Sequence, residues 1–346
     1  MILQISPALP PRISGVGDYA ALLEDALKTL GCEMGALTLD NAGAEPGLGI
    51  TVLRERTADE LAGLLFDSRA ILLHFSGYGY ARRGLCRWLS DGLAQWKGAG
   101  TDRRLVTIFH EVYATGPVWR SSFWTARPQK RIARHIAHLS DAAFVTSEGG
   151  MGQLRQMVPH MPLSLLPVFS NVGEPAACAP LAERSPRAVV FGGARRRLDV
   201  YEALAATKGL ERRLAALGLV GIIDVGPPSD VPEVIAGLPV ERCGPLPADQ
   251  VSAILADAQI GLVDYPGHVF TKSGIAAAYF AHGLAVVNTS QCGGFPADLV
   301  EGKVFSGLPR FVTEEQNLQA LSDAGRAWYA PHAIPAAAAR IRESLA

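Results

Sequence analysis

AQIGLVDYPGHVFTKSGIAAAYFAHGLAVVN, residues 258–288, is the stretch that decides the fold. Residues 260–263 are a short apolar run, as in a strand buried on both faces. A loop rich in Pro and Gly follows, 264–271. Lys272, Ser273 and Gly274 then open an alanine-rich run, 275–282, with strong helix propensity. Gly283 is placed to end it with a left-handed cap, and 285–287 is a second apolar strand. The unit is therefore strand–loop–helix–strand. Its loop brings a lysine, a hydroxyl and backbone N–H groups to a helix N-terminus, an end that attracts anions. One reading is a phosphate site; the other is a serine-capped helix beside a surface lysine.

The same rhythm extends in both directions. Strands are predicted at 2–5, 35–39, 50–53, 70–75, 105–109, 142–146 and 163–166. Helices are predicted between them at 18–30, 58–66, 82–96, 129–139 and 148–157. Segment 167–186 holds Pro167, Pro175, Pro180 and Pro186 with little periodicity and reads as a linker. The alternation then restarts with strand 188–191, helices 201–207 and 211–217, strand 220–225 and helix 247–258. Helices 314–329 and 335–345 close the chain. Short apolar strands alternating with helices imply parallel α/β sheets. Two doubly wound domains, 1–170 and 171–346, are expected to face each other across a cleft. The closing segment 314–346 is free to return to the first.

Composition agrees. A chain of 346 residues, 49% hydrophobic, suits two domains. A net charge of -1 argues against a dedicated nucleic-acid binder. The five cysteines include no CxxC pair, which suggests reduced thiols and a cytoplasmic protein. No signal peptide is read at the start, and no apolar run would span a bilayer. Arg82, Arg83, Arg87, Lys97, Arg103, Arg104, Arg127, Lys130, Arg131 and Arg134 make the first domain locally basic, with Trp88, Trp96, Trp119, Phe123 and Trp124 among them. Such a patch suits the inner face of a membrane or a lipid-linked acceptor. An ordinary charged face over a tryptophan-containing core is the alternative.

Several constellations could carry chemistry. GVGDYA, residues 15–20, formally fits the dinucleotide pattern G-x-G-x-x-A, with Asp40 at about the right distance. Against this, a proline-rich loop separates Gly15 from the preceding strand, where the tight turn belongs. His110 and Glu111 follow strand 105–109 and so sit at a carboxyl end, where open sheets bind ligands. His110 suits a proton shuttle or hydroxyl contact, Glu111 a sugar hydroxyl. His74 has the same placement with less support. At least one arginine of the run 195–197 is expected to meet phosphate oxygens. Asp264 lies just past another strand.

These motifs, in their order, resemble bacterial family-4 retaining glycosyltransferases of the GT-B fold. The carrying stretches are SGVGDYA (14–20), FHEVYATGPVW (109–119), VTSE (145–148), VVFGGARRR (189–197), GPLPADQVSAILADAQIGLVDYP (244–266) and KSGIAAAYFAHGLAVVN (272–288). The resemblance implies two Rossmann-like domains, with a nucleotide-diphosphate sugar held by the C-terminal one and an acceptor by the N-terminal one. It places Gly15 and Gly17 near the donor phosphates and assigns Arg195 to the diphosphate. The family's E-x7-E carboxylates are absent: Phe270 and Ala278 stand at their positions. The lysine that the family usually carries a few residues after the diphosphate arginine is also absent, and Lys272 is expected to replace its charge.

The expectation is transfer of a sugar to a glycan or lipid-linked acceptor, retaining, with no metal and no cofactor, since no Asp-x-Asp pair is present. His110 and Glu111 are the catalytic candidates. Gly15, Gly17, Arg195, Asp264, Lys272, Ser273 and Gly274 are the donor-binding ones. Rival readings are a catalytically silent sugar-binding scaffold, a nucleotide-sugar epimerase and, more remotely, a dinucleotide oxidoreductase.

Overall fold

The computed structural model describes residues 1–12, 14–39, 50–116, 118–119 and 121–346. Asp40, the acidic partner of the dinucleotide pattern, lies outside these residues. The chain divides into two compact units: Met1–Pro167 with Ile334–Ala346, and Val168–Ala333.

The first unit is built on a parallel seven-stranded sheet. Its strands are β1 (Ile2–Ser6), β2 (Met34–Thr38), β3 (Ile50–Val52), β4 (Ala70–Phe75), β5 (Arg104–Phe109), β6 (Ala142–Val145) and β7 (Leu163–Leu165). Their order is β3-β2-β1-β4-β5-β6-β7. Central strands such as β4 and β5 are apolar and buried along nearly their whole length, because helices cover both faces. Trp96, from the helix Arg87–Gly98, fills this core and donates its indole N–H to the Ser68 carbonyl at 3.0 Å.

The second unit repeats the plan. Its strands are β8 (Ser185–Phe191), β9 (Gly221–Val225), β10 (Val234–Ile235), β11 (Leu238–Gly244), β12 (Ala258–Val263), β13 (Ala285–Asn288) and β14 (Ser306–Gly307). The order is β10-β11-β9-β8-β12-β13-β14, parallel but for the β10–β11 hairpin. The expected strand–loop–helix–strand unit is present as β12, a 3-10 turn Gly267–Lys272, the helix Gly274–Ala281 and β13. Gly283 has φ +64, which a left-handed helix end requires.

The structure corrects two of the expected helices and adds detail to the linker. Residues 82–96 do not form one helix: a 3-10 turn Arg82–Gly84 precedes the helix Arg87–Gly98, and Arg83 breaks the path with φ 61. The helix expected at 201–207 begins earlier, at Ala194. Residues 167–186, read as a linker, begin at the boundary between the units, but all from Val168 on belong to the second. Ser170 N–H donates to the Tyr329 hydroxyl at 2.7 Å, and the buried Arg184 guanidinium donates to the carbonyls of Ala179, Ala258 and His282. The segment is thereby fastened to the second unit, and β8 already starts at Ser185.

In each sheet the first strand is an interior one, third of seven in the first and fourth in the second, and the chain then builds outward on either side of it. The point of reversal falls between β1 and β4 in one unit and between β8 and β12 in the other. Connections leave such neighbours in opposite directions, so a crevice opens at their carboxyl ends.

Candidate functional site

In the second unit, β8 ends at Phe191 and the chain turns through Gly192 and Gly193 into the helix Ala194–Ala206. Gly192 has φ +131, and a Cβ there would meet Ile275 of the neighbouring helix. Glycine is what lets this turn pass. The helix begins with no side-chain cap, so its first N–H groups and the positive end of its dipole are available at the crevice.

The three arginines of this turn do three different things. Arg195 is exposed and ion-paired to Asp199 at 2.7 Å and to Glu202 at 3.8 Å. Arg196 lies over the ring of Tyr265, 4.6 Å from its centroid, and its guanidinium also reaches Asp199 at 4.0 Å. Arg197 is buried, ion-paired to Asp224 of β9, and donates to the carbonyls of Gly192 and Pro227. It therefore braces the two loops that leave β8 and β9. Tyr201 donates to the other carboxylate oxygen of Asp224 at 3.1 Å.

Tyr265 is itself held in place. Its N–H donates to Asn288 Oδ1 at 3.0 Å, and Asn288 Nδ2 returns a bond to its carbonyl at 2.9 Å. Beside it, Asp264 accepts from the Thr289 hydroxyl at 2.7 Å. The carboxyl ends of β12 and β13 are thus tied together.

Ser273 is buried, and its hydroxyl caps the helix Gly274–Ala281 by accepting from Ala276 N–H at 3.2 Å. Lys272 ends the preceding 3-10 turn and is half-buried. Gly274, the first helical residue, would meet only ordinary contact if it carried a Cβ. At the two positions where the resembled family carries glutamates, Phe270 and Ala278 are buried. Phe270 packs in an aromatic cluster with Phe280, Phe295 and Phe305. A carboxylate in that place would be left without water or partner, so the departure from the family pattern is built into the core.

In the first unit, Ser14 accepts from Gly17 N–H at 3.3 Å and caps the helix Gly15–Thr29. A Cβ on Gly17 would lie 2.7 Å from the Ala8 carbonyl oxygen, so this glycine lets the helix pack on its own entry loop. Nothing lies within 4 Å of a Cβ on Gly15.

His110 directly follows β5 and is 6% exposed. Its Nε2 is 3.2 Å from Nδ1 of His74, the fifth residue of β4. His74 Nε2 is 2.9 Å from Gln4 Oε1 on β1, and Gln4 Nε2 is 3.0 Å from Glu24 Oε2 on the first helix. Tyr19 stands edge-on to both imidazoles, at 5.0 Å from His110 and 5.9 Å from His74. Complete burial pushes the His74 pKa down to about 3, so this ring is neutral at ordinary pH. Glu111 accepts from the Ser76 hydroxyl at 3.2 Å.

His110, Glu111, Gly15 and Gly17 lie on the first unit, and Arg195, Asp264, Lys272, Ser273 and Gly274 on the second, where Arg195 is engaged by its own helix. Sequence reasoning passed over Gln4, Glu24, Tyr265 and Asn288, and within the run 195–197 it chose Arg195 rather than Arg196. Gln4 had one signal, a polar residue inside a buried strand. The others had none, because their roles depend on partners distant in sequence. Among the described residues, no group of three or more His, Cys, Asp or Glu is placed to hold a metal ion. Among them too, no helix is long and apolar enough to cross a membrane.

No family model matches the chain, and no curated protein matches it in sequence. Solved structures match it through the fold. WaaG, a glycosyltransferase involved in lipopolysaccharide biosynthesis, superposes with a TM-score of 0.61 at 12% identity, covering 100% of this chain and 99% of that one. A trehalose-6-phosphate structure from E. coli, bound with UDP-2-fluoro glucose, gives 0.61 at 13% identity over 99% and 98% of the two chains. A putative UDP-N-acetylglucosamine 2-epimerase from Listeria monocytogenes gives 0.59 at 12% identity over 99% and 94%. Two α/β units built on parallel-rich seven-stranded sheets, as the GT-B resemblance implies, are therefore the fold of this chain.

Proposed function

We propose that this chain is a glycosyltransferase that moves a sugar from a nucleotide-diphosphate donor on the second unit to a glycan or lipid-linked acceptor on the first. The observation that carries the proposal is the crevice between β8 and β12. An uncapped helix N-terminus opens there beside Arg196, whose guanidinium lies over Tyr265. Backbone N–H groups and a guanidinium suit a diphosphate leaving group, and an aromatic face suits a base or sugar ring. Lys272, Arg195 and Gly274 supply further charge and backbone donors in the same unit. No metal enters this reading; the helix end and cations would stabilise the charge that develops on the leaving diphosphate. Retention of configuration is carried over from the family resemblance. The fold is shared with a structure bound to UDP-2-fluoro glucose, which favours a uridine nucleotide as the first donor to test.

His110 and Glu111 are the catalytic candidates, His110 as proton carrier or sugar-hydroxyl contact and Glu111 as a hydroxyl acceptor. The helix Ser121–Leu139 gives the acceptor side its character. Phe123, Trp124, Arg127, Lys130, Arg131, Arg134, His135 and His138 are exposed on it, and the segment contains no acidic residue. Trp119, 81% exposed, stands just before it. Aromatic side chains next to exposed arginines and a lysine, with no carboxylate among them, suit the anionic headgroups of an inner membrane surface, where a lipid-linked acceptor would reside.

A second reading, a catalytically silent sugar-binding scaffold, is favoured by the buried Phe270 and Ala278 at the glutamate positions. Calorimetry with UDP, UDP-glucose, GDP and NAD, followed by an assay for released nucleoside diphosphate, separates the readings. Binding of a nucleotide sugar with release of diphosphate in the presence of acceptor supports transfer. Binding without release supports the scaffold. Tight binding of NAD alone would sink both.

A further inference from the structure

The chain Glu24–Gln4–His74–His110 crosses the first unit between its first helix and the carboxyl ends of β1, β4 and β5. Gln4 and His74 are fully buried between strands that are otherwise apolar. Buried polar groups of this kind must be satisfied, and here each satisfies the next.

The direction of every bond can be worked out from one end. Glu24 is ion-paired to Lys28, with Nζ 2.7 Å from Oε1. A carboxylate so paired can only accept. Its other oxygen faces Gln4 at 3.0 Å, so the Gln4 atom there is the donating amide nitrogen. The Gln4 carbonyl oxygen therefore points to His74, and His74 Nε2 must carry a proton to bond it at 2.9 Å. His74 is neutral, so its Nδ1 is a lone pair. The atom 3.2 Å away, His110 Nε2, must then be an N–H donor. We infer that Glu24, Gln4 and His74 form a polarised relay that fixes the proton on His110 Nε2 and makes Nδ1 the nitrogen of His110 that exchanges protons or accepts from a hydroxyl.

The relay works for both charge states of His110. As a neutral ring it donates from Nε2 and accepts at Nδ1. As a cation it still donates from Nε2, and the new proton sits on Nδ1. Tyr19, edge-on to both rings, limits their rotation. Glu24, Gln4 and His74 are thus positioning residues that act through His110. The catalytic meaning of the relay rests on the role proposed for His110; the tautomers themselves do not.

Nitrogen NMR of isotope-labelled histidine in the intact protein reads the tautomers directly. The expected result at neutral pH is His74 protonated on Nε2 only and His110 carrying its proton on Nε2. Gln4→Leu, which removes the link but nearly keeps the volume, should release His74 into a mixture of tautomers. With it, kcat should fall about 10- to 100-fold while the donor KM changes little, because a misplaced catalytic group costs about that much. Should Gln4→Leu fail to fold, Glu24→Gln serves instead, since an amide at the rim can no longer dictate which way Gln4 points. Wild-type His74 protonated on Nδ1, or tautomers unmoved by the folded variant, would overturn the relay. Correct tautomers in a protein that transfers no sugar would refute the proposed function and leave the relay standing.

Discussion

Arg196→Ala should weaken nucleoside-diphosphate binding much more than Arg195→Ala, although the family resemblance assigns the diphosphate to Arg195. The two side chains start from different places. Arg195 is 74% exposed and already holds Asp199 and Glu202 on its own helix. Arg196 is less exposed, reaches Asp199 only at 4.0 Å and leans over Tyr265 at the carboxyl end of β12. A charge-assisted hydrogen bond is worth about 1.5–3 kcal/mol. At about 1.4 kcal/mol per decade, removing one from Arg196 should raise the Kd for UDP about 10- to 150-fold. Uridine, lacking phosphates, should lose much less, through the altered Tyr265 face alone. Arg195→Ala removes two surface ion pairs worth about 0–1 kcal/mol each to folding and no contact to the ligand, so the Kd for UDP should shift less than about 5-fold. Isothermal calorimetry of both ligands on both variants gives four numbers to compare. The assignment fails if Arg195→Ala costs as much as Arg196→Ala, or if uridine loses as much as UDP.

The other expectations test separate parts of the molecule. His110→Ala should lower kcat by about 100-fold or more while the midpoint of thermal unfolding moves little; large destabilisation at unchanged specific activity would make it a core residue. His74 titrates at about 3 when folded, below its ordinary 6.5, so the unfolded chain takes up its proton first. The stability contributed by its neutral form is complete above about pH 6.5 and is lost as pH falls towards 3, by about 2 kcal/mol at about pH 5. A His74→Gln variant should flatten the acid limb of the Tm profile, and an unchanged limb would contradict this. Arg197→Met leaves Asp224 buried without its cation and should cost about 3–5 kcal/mol, read as a lower urea midpoint; a midpoint like wild type would show the pair to be dispensable. Vesicles containing anionic lipid should sediment the wild type and release it in high salt, whereas Trp119→Ala/Trp124→Ala should bind them weakly; equal binding to neutral vesicles would exclude the cationic face as the cause.

Much of this could be read from the sequence because buried parallel strands are apolar over their whole length. Residues 260–263 and 105–109 show this, and positions just past such strands are where ligands gather. His110 and Asp264 were chosen as candidates for that reason alone, and each does directly follow a strand. What escaped reading had tertiary causes. The helix Ala194–Ala206 opens on three arginines, which look like a solvated turn until Asp224, far along the chain, makes one of them a core residue. Strand β11 carries Pro239, Glu241 and Arg242 and has no apolar run to betray it. The imidazole pairing joins residues 74 and 110, and its anchor lies at residues 4 and 24. No local pattern encodes such distances.

The helix Ile334–Leu345 belongs to the first unit. Its Ala337, Ala338 and Ile341 are buried, Arg340 donates to the Leu165 carbonyl, and Arg104 donates to the Ser344 carbonyl. The order of synthesis is therefore not the order of completion. A ribosome delivers residues 1–167 first, yet they must wait with an unfilled groove while the uninterrupted second unit emerges and folds. The first unit closes only when residues 334–346 arrive. Deleting residues 334–346 should therefore leave the first unit incomplete, with the apolar surface that Ala337, Ala338 and Ile341 cover exposed to water.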